Sequence, residues 1–270
     1  MADEAGEGQA PQDDPDELGS EGGVPFDPYN STAFDGNDGV LRNVPLFPLP
    51  GLVLLPGAVL PLHVFERRYR QMTEDALTRG RDGRGLIGIC RLRDGFDPMD
   101  DSPPIYDVAC VAAVCDCQKL PDGRYNILVR GLDRVRVGAE MQLGEAADED
   151  EAGDLVMYRR ADLSHIQCTA AFEIDLGETR EKLRSLCRRP PIVGTPVAGQ
   201  LEKLFASSAT TAQLADVLAF DLLEDLDEKQ SLLEETDVRR RVERLAHLLD
   251  RQFPEPDSVV KLSERFNDDE

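Results

Sequence analysis

Five prolines stud the stretch from Val44 to Met72, VPLFPLPGLVLLPGAVLPLHVFERRYRQM, and they constrain this chain more than any other feature. Pro45, Pro48, Pro50, Pro56 and Pro61 each lack a backbone donor, fix their own φ and push the preceding residue towards extended geometry. A helix is therefore excluded from most of the stretch, and strands and turns must form its first part. Pro50-Gly51 and Pro56-Gly57 are turn dipeptides, while Leu60, Leu62 and Val64 alternate with Val59, Pro61 and His63 as a strand with one buried face would. After Phe65 the period changes. Glu66 to Leu77 holds no proline or glycine, and Tyr69, Met72, Ala76 and Leu77 suit one face of a short helix.

The 270 residues, 41% of them hydrophobic, suffice for one large domain or two small ones with a proper core. The formal charge of -23 is unevenly spread, with no Lys or Arg before Arg42 and recurrent Asp and Glu among Gly and Pro. Such a segment buries too little apolar surface to offset its chain entropy, so residues 1–40 read as a disordered acidic tail. The N-terminal MADEAGEG carries acid where a secretory signal carries base, and no run approaches the roughly 20 apolar residues of a membrane span. The expectation is a cytoplasmic protein with no membrane contact.

Downstream, Gly85 to Leu92 reads as a buried strand, and DGFDPMDDSPP after it as an exposed loop. Ile105 to Gln118 reads as a long strand, Leu120-Pro121-Asp122-Gly123 as a turn, and Tyr125, Ile127 and Val129 as the return strand of a hairpin. Gly131 is expected to break that run, with Val135 and Val137 on a further strand. The acidic run from Gly144 to Asp154 reads as a solvated loop, and Leu155 to Tyr158 as resumed strand.

Beyond Arg160 the pattern turns helical. Phe172, Leu176, Leu183 and Leu186 fit a helix that Pro190-Pro191 stops, although Phe172, Ile174 and Leu176 also alternate and leave its start open. Val197 to Ala206 forms another, and Thr210 or Thr211 caps the next, which carries Leu214, Val217, Leu218 and Leu222. Thr236 or Asp237 caps the strongest helical signal, in which Val238, Val242, Leu245 and Leu249 make the apolar stripe. Its Arg239, Arg240, Arg241 and Glu243 read as a solvated face. The fold class is α+β: a β subdomain over 41–160, a helical bundle over 161–252 and a polar tail over 253–270.

Chemistry-bearing motifs are sparse. The sequence contains no G-x-x-x-x-G-K-[ST], no strand-to-helix G-x-G-x-x-G and no G-x-S-x-G elbow. The three histidines, His63, His165 and His247, are isolated in sequence. Cys110, Cys115 and Cys117 tempt a metal assignment, but on a regular strand Cys115 and Cys117 share a face that Cys110 does not, and there is no C-x2-C pair or nearby His. These three are expected to be buried, reduced core thiols, and the scattered Cys90, Cys168 and Cys187 suggest no disulfide framework. No cofactor or metal is implied.

The stretch from Val44 to Met72 resembles the opening motif of the N-terminal, substrate-binding domain of Lon proteases. Pro48 opens it, Leu55-Pro56-Gly57 stands for its turn, and Phe65-Glu66-Arg67-Arg68-Tyr69 for its I-F-E-x-R-Y end. LPDGRYNILVRGLDRVRV and DEKQSLLEETDVRRRVERLAHLL continue the likeness, which covers roughly residues 43–250. It implies a PUA-like β pseudo-barrel followed by a helical bundle, a module that in Lon contacts unfolded substrates. Pro48, Pro56, Gly57, Phe65, Glu66, Arg68 and Tyr69 carry the family motif, mainly in a structural role. After Leu249 the ATPase and Ser-Lys protease domains of a complete Lon are absent, so the expectation is a stand-alone, non-catalytic binder of unfolded or exposed polypeptide, serving as an adaptor beside a protease or chaperone. Its contact surface is expected around Leu52, Val53, Leu54 and Leu55. Two other readings are RNA binding, which requires Arg124, Arg130, Arg134 and Arg136 to form a local patch against the overall charge, and a Lon-like peptidase component.

Overall fold

The computed structural model describes residues 39–79, 85–96, 102–141 and 155–255. Nearly all of the expected acidic tail over 1–40, the acidic run 144–154, part of the loop after Leu92 and most of the tail over 253–270 lie outside the described residues.

Six strands form the β half: β1 (Val40–Leu49), β2 (Val59–Val64), β3 (Leu86–Arg91), β4 (Val108–Lys119), β5 (Tyr125–Glu140) and β6 (Arg160–His165). Their order is β2-β5-β4-β3-β1-β6, and β5 also pairs with β6, so five strands close into a ring with β2 attached outside it. Among these six strands only β1 and β3 pair in parallel. The length of β5 makes closure possible: its first half pairs with β2, and its far end, from Val135 to Glu140, pairs with β6. A closed ring leaves fewer free strand edges, which otherwise invite pairing with other chains.

Alternation along the strands sorts side chains into two cores. Val44 and Leu46 of β1, Cys90 of β3, Ala109 and Val111 of β4, Val135 of β5 and Ala161 and Leu163 of β6 fill the ring. Phe47, Ile87, Ile89, Val108, Cys110, Ile127 and Val129 face the other way, into a larger core shared with the helices. Residues from both expected halves therefore enter one continuous apolar cluster.

The helices are α1 (Arg67–Arg79), α2 (Glu173–Leu186), α3 (Pro196–Ala206), α4 (Thr211–Leu222), α5 (Leu226–Glu234) and α6 (Val238–Gln252). Thr210 caps α4 in a capping box with Gln213, Asp225 caps α5, and Asp237 rather than Thr236 caps α6. Leu214 and Leu218 of α4 and Val242, Leu245 and Leu249 of α6 are buried as their spacing predicts.

Several expectations are corrected. Gly131 does not break the sheet. β5 runs through it, and a side chain there would meet the Leu55 carbonyl oxygen at 2.4 Å. The glycine is present because the Leu52–Pro56 segment lies against the strand, where Gly57 N and Gly131 N bond to the Gly131 and Ala58 carbonyls at 2.8 and 2.9 Å. Leu155 to Tyr158 is not a strand. The last strand begins at Arg160 and runs to His165, past the expected boundary at 160, and its polar sequence hid it because the charge of Arg160 is satisfied inside by Asn43 Oδ1 at 3.0 Å. Phe172 is no core residue: it stands at the N-cap of α2 with 78% exposure.

The cysteine faces also change. Val114 pairs with Val129 and Asp116 with Leu128, so Cys115 is the extra residue of a bulge. The bulge returns Cys117 to the side of Cys110, and both pack on the larger core, while Cys115 is exposed rather than buried. Burial pushes the Cys90 and Cys187 thiols up to about 12, and that of Cys110 further still, so these three are inert packing groups.

Candidate functional site

Where β1 and β2 end and α1 begins, the chain opens a groove of about 260 Å³. Its floor and walls are Phe47, Pro48, Leu49 and Pro50 from the end of β1, Leu62 to Val64 from β2, and Phe65, Glu66, Arg68 and Tyr69 from the entrance to α1, with Leu92, Pro103 and Arg159 closing it. Pro48 and Pro50 fix the backbone at the end of β1 without offering donors that would need a partner. Phe65, just before the helix, cannot turn inward with Val64 and remains 61% exposed at the rim. Its ring stacks beside that of His63 at 6.3 Å. Phe47 and Tyr69 meet at 4.4 Å beneath them.

The charges in the wall are already neutralised. Arg68 Nε donates to Glu66 Oε2 at 3.0 Å, and its guanidinium lies 4.7 Å from the Tyr69 ring centre. Arg159 donates to both oxygens of Glu140, at 2.6 and 2.5 Å, and to the Pro103 carbonyl at 2.6 Å. Burial raises the Tyr69 phenol, with Arg68 opposing it, so the ring stays neutral. His63 shares its ring nitrogens with Asn126 Oδ1 at 2.8 Å and Arg124 Nη1 at 3.1 Å. The surface that results is apolar, aromatic and uncharged in sum, suited to receive an apolar side chain and devoid of an activated nucleophile.

Five residues of the sequence motif, Pro48, Phe65, Glu66, Arg68 and Tyr69, come together in this groove. Pro56 and Gly57 do not. Gly57, at φ 81°, sits in a turn against α4, where an added side chain would meet Val217 at 3.1 Å. The expected contact stretch is corrected as well: Val53, Leu54 and Leu55 are 3%, 1% and 0% exposed and belong to the larger core, and Leu52 is half-buried against it. Their apolar character is consumed in holding this segment on β5. Phe47, Leu62, Leu92 and Arg159 are groove residues that the sequence did not single out, and nothing in their local pattern marks them, because they meet only after the ring closes.

The four arginines weighed for an RNA surface do not assemble one. Arg134 is buried at the seam between ring and helices, where it grips both oxygens of Asp216 at 2.8 and 2.5 Å and the Leu233 carbonyl at 3.1 Å. Arg241 Nε lies 3.3 Å from the same carboxylate, so it too leaves the solvated face expected for it. Arg124 is held by Asp122 at 2.6 Å. Among the described residues no group of three or more His, Cys, Asp or Glu could hold a metal ion, and no helix is long and apolar enough to cross a membrane.

A closed ring of five strands with an attached strand and a helical bundle on its outer face defines a PUA-like α+β fold with an apolar groove at the strand ends. Residues 43–251 match the family model of the ATP-dependent protease La (LON) substrate-binding domain, and the chain belongs to that family. Relatives include the Lon protease of Azorhizobium caulinodans, 30% identical over 84% of this chain, and Lon protease 2 of Sorangium cellulosum, 29% identical over 78%. The chain spans about a quarter of the length of these relatives, 24% and 25%. The fold is also that of the N-terminal domain of Mycobacterium avium complex Lon protease, at a TM-score of 0.54 and 19% identity over 77% of this chain and 98% of that one.

Proposed function

We propose that this chain is a non-catalytic, cytoplasmic module that binds unfolded or exposed polypeptide segments through the groove at Phe65 and works as an adaptor beside a protease or chaperone. The observation that carries the reading is an exposed aromatic ring at the rim of an apolar groove whose wall charges are cancelled in place. A large apolar ring held mostly in water at a groove mouth contributes little to the fold, whereas covering it with another chain removes apolar area from water. Family membership supports the same class of ligand.

The test is fluorescence anisotropy of a labelled, cysteine-blocked unfolded polypeptide titrated with the full chain. Saturable binding is expected, weakened about tenfold or more by Phe65→Ser, since losing a buried Phe contact removes about 1.5–3 kcal/mol. The melting temperature should not move, because Phe65 is exposed. Absence of binding, or a Phe65→Ser protein that binds as well as the parent, would overturn the proposal.

A further inference from the structure

On α1 the residues Arg67, Arg70, Gln71 and Glu74 recur at helical spacing and share one stripe, beside the buried stripe of Tyr69, Met72, Thr73 and Ala76. The polar stripe forms one wall of a second, wider cleft of about 520 Å³, which Lys119 and Gly123 of the β4–β5 hairpin line from the other side. Lys119 Nζ donates to Glu74 Oε1 at 2.7 Å, and the Tyr125 hydroxyl donates to the same oxygen. That pair cancels. Arg67 and Arg70 make no hydrogen bond or ion pair with any described residue, and the Arg70 Nε is shut off from solvent without an acceptor. By contrast Arg68, Arg124 and Arg159, around the groove and the hairpin, each have an acid partner. Among the described residues Arg67 has no acid partner and Arg70 feels only Glu74, which Lys119 already engages, so the two neighbouring guanidiniums keep anion-binding capacity.

We propose that this cleft takes the carboxylates of an acidic polypeptide segment, from the same bound chain whose apolar residue enters the neighbouring groove; the inference rests on the polypeptide-binding reading. Glu66, Arg68 and Tyr69 face the groove and Arg67, Arg70 and Gln71 the cleft, so the two sites flank the first turns of one helix. A helix with its side chains is about 10 Å across, a distance that an extended chain covers in about three residues at roughly 3.3 Å each. The preferred segment therefore carries Asp or Glu about three positions from an aromatic or large aliphatic residue. Guanidinium forks take carboxylates bidentately, which suits isolated side chains better than a continuous row of phosphates facing Glu74 and the acidic remainder of the surface. The net negative charge of the chain disfavours acidic residues over much of the remaining surface, so the cleft sets the register.

The experiment titrates the full chain into three labelled peptides with one Phe anchor, carrying at the third position beyond it a pair of Gln, Glu or Lys residues. The Glu peptide should bind about three- to tenfold more tightly than the Gln peptide at low salt. That advantage should vanish in Arg67→Gln/Arg70→Gln and at about 0.5 M salt, with the Gln peptide unaffected by the substitutions. Arg67→Gln alone, at an exposed side chain, should remove roughly half of the logarithmic gain, which guards against a loosened α1 in the double variant. Equal binding of Gln and Glu peptides, or a Glu preference that survives both variants, overturns the inference while leaving the groove reading intact. A Glu peptide that binds through Arg67 and Arg70 while the Gln peptide fails to bind supports the cleft and overturns the groove.

Discussion

The ring and the helical bundle reach stability by different routes. Every ring strand is held by ladders on both sides, and its interior is filled by one alternating face of each strand, so the ring is specified largely by pattern. The bundle has no such ladder. α4, α5 and α6 begin at side-chain caps and bury apolar stripes, and the bundle is fixed on the ring by a shared core together with polar ties, the most buried of which sets the Asp216 carboxylate between two guanidiniums. An alternating pattern specifies a sheet, whereas the placement of helices on it depends on a few side chains far apart in sequence.

The seam offers the strongest way to break this comparison. Asp216→Ala leaves Arg134 and Arg241 buried without their shared partner and should cost about 3–5 kcal/mol, read by urea denaturation. Replacing Arg134, Asp216 and Arg241 together by Met, Leu and Met should cost far less, because no uncompensated charge remains. A small loss in the single variant would mean that the apolar core alone positions the bundle. Next in size is Gly131→Ala, whose new side chain meets the Leu55 carbonyl at 2.4 Å. About 2–3 kcal/mol should be lost, with hydrogen exchange rising in β5 and the Leu52–Pro56 segment rather than in α6.

Smaller effects sharpen the contrast. Thr210→Ala removes the α4 capping box and should cost about 1 kcal/mol, with exchange quickening in the first turn of α4 and the ring unchanged. Glu74 supplies the pH signature. Its carboxyl is held below the usual range, first by the hydrogen bond from Lys119 and then by that from Tyr125. The stability it contributes is therefore complete above the unfolded value of about 4.3 and is lost as pH falls through the lower folded value. The side chain is half-exposed, so solvent screening limits this to about 0.5 kcal/mol. Glu74→Gln should flatten the acid limb of the stability profile by that amount, and an unchanged limb would show that the Lys119 pair carries no energy.

Much of this was legible beforehand. The two turns, the β2 alternation, the hairpin and the α1, α4 and α6 stripes follow from proline geometry, period and caps. The α+β class and the family resemblance follow from the same residues. Less legible was β6, because a strand beginning Arg160-Ala161-Asp162 looks like surface until its charges find Asn43 and its apolar residues find the ring. Likewise Arg241 and Arg134 look solvated in any local window, since burial of a charge depends on a partner from another element.

The groove shows the same division. Read locally, the chain shows a strand giving way to a helix at Phe65, because φ restriction and side-chain period are local properties, while Pro48, Phe65, Glu66, Arg68 and Tyr69 stand out only through the resemblance to a family motif. Only the tertiary structure decided that Phe65 stays in water while Val53, Leu54 and Leu55 are buried. All four are apolar, and apolarity states the gain from covering a side chain without stating which neighbour covers it. That choice was made by Gly131, which admits the Leu55 backbone against β5, and by the ring closure that brings Leu92 and Arg159 to the groove.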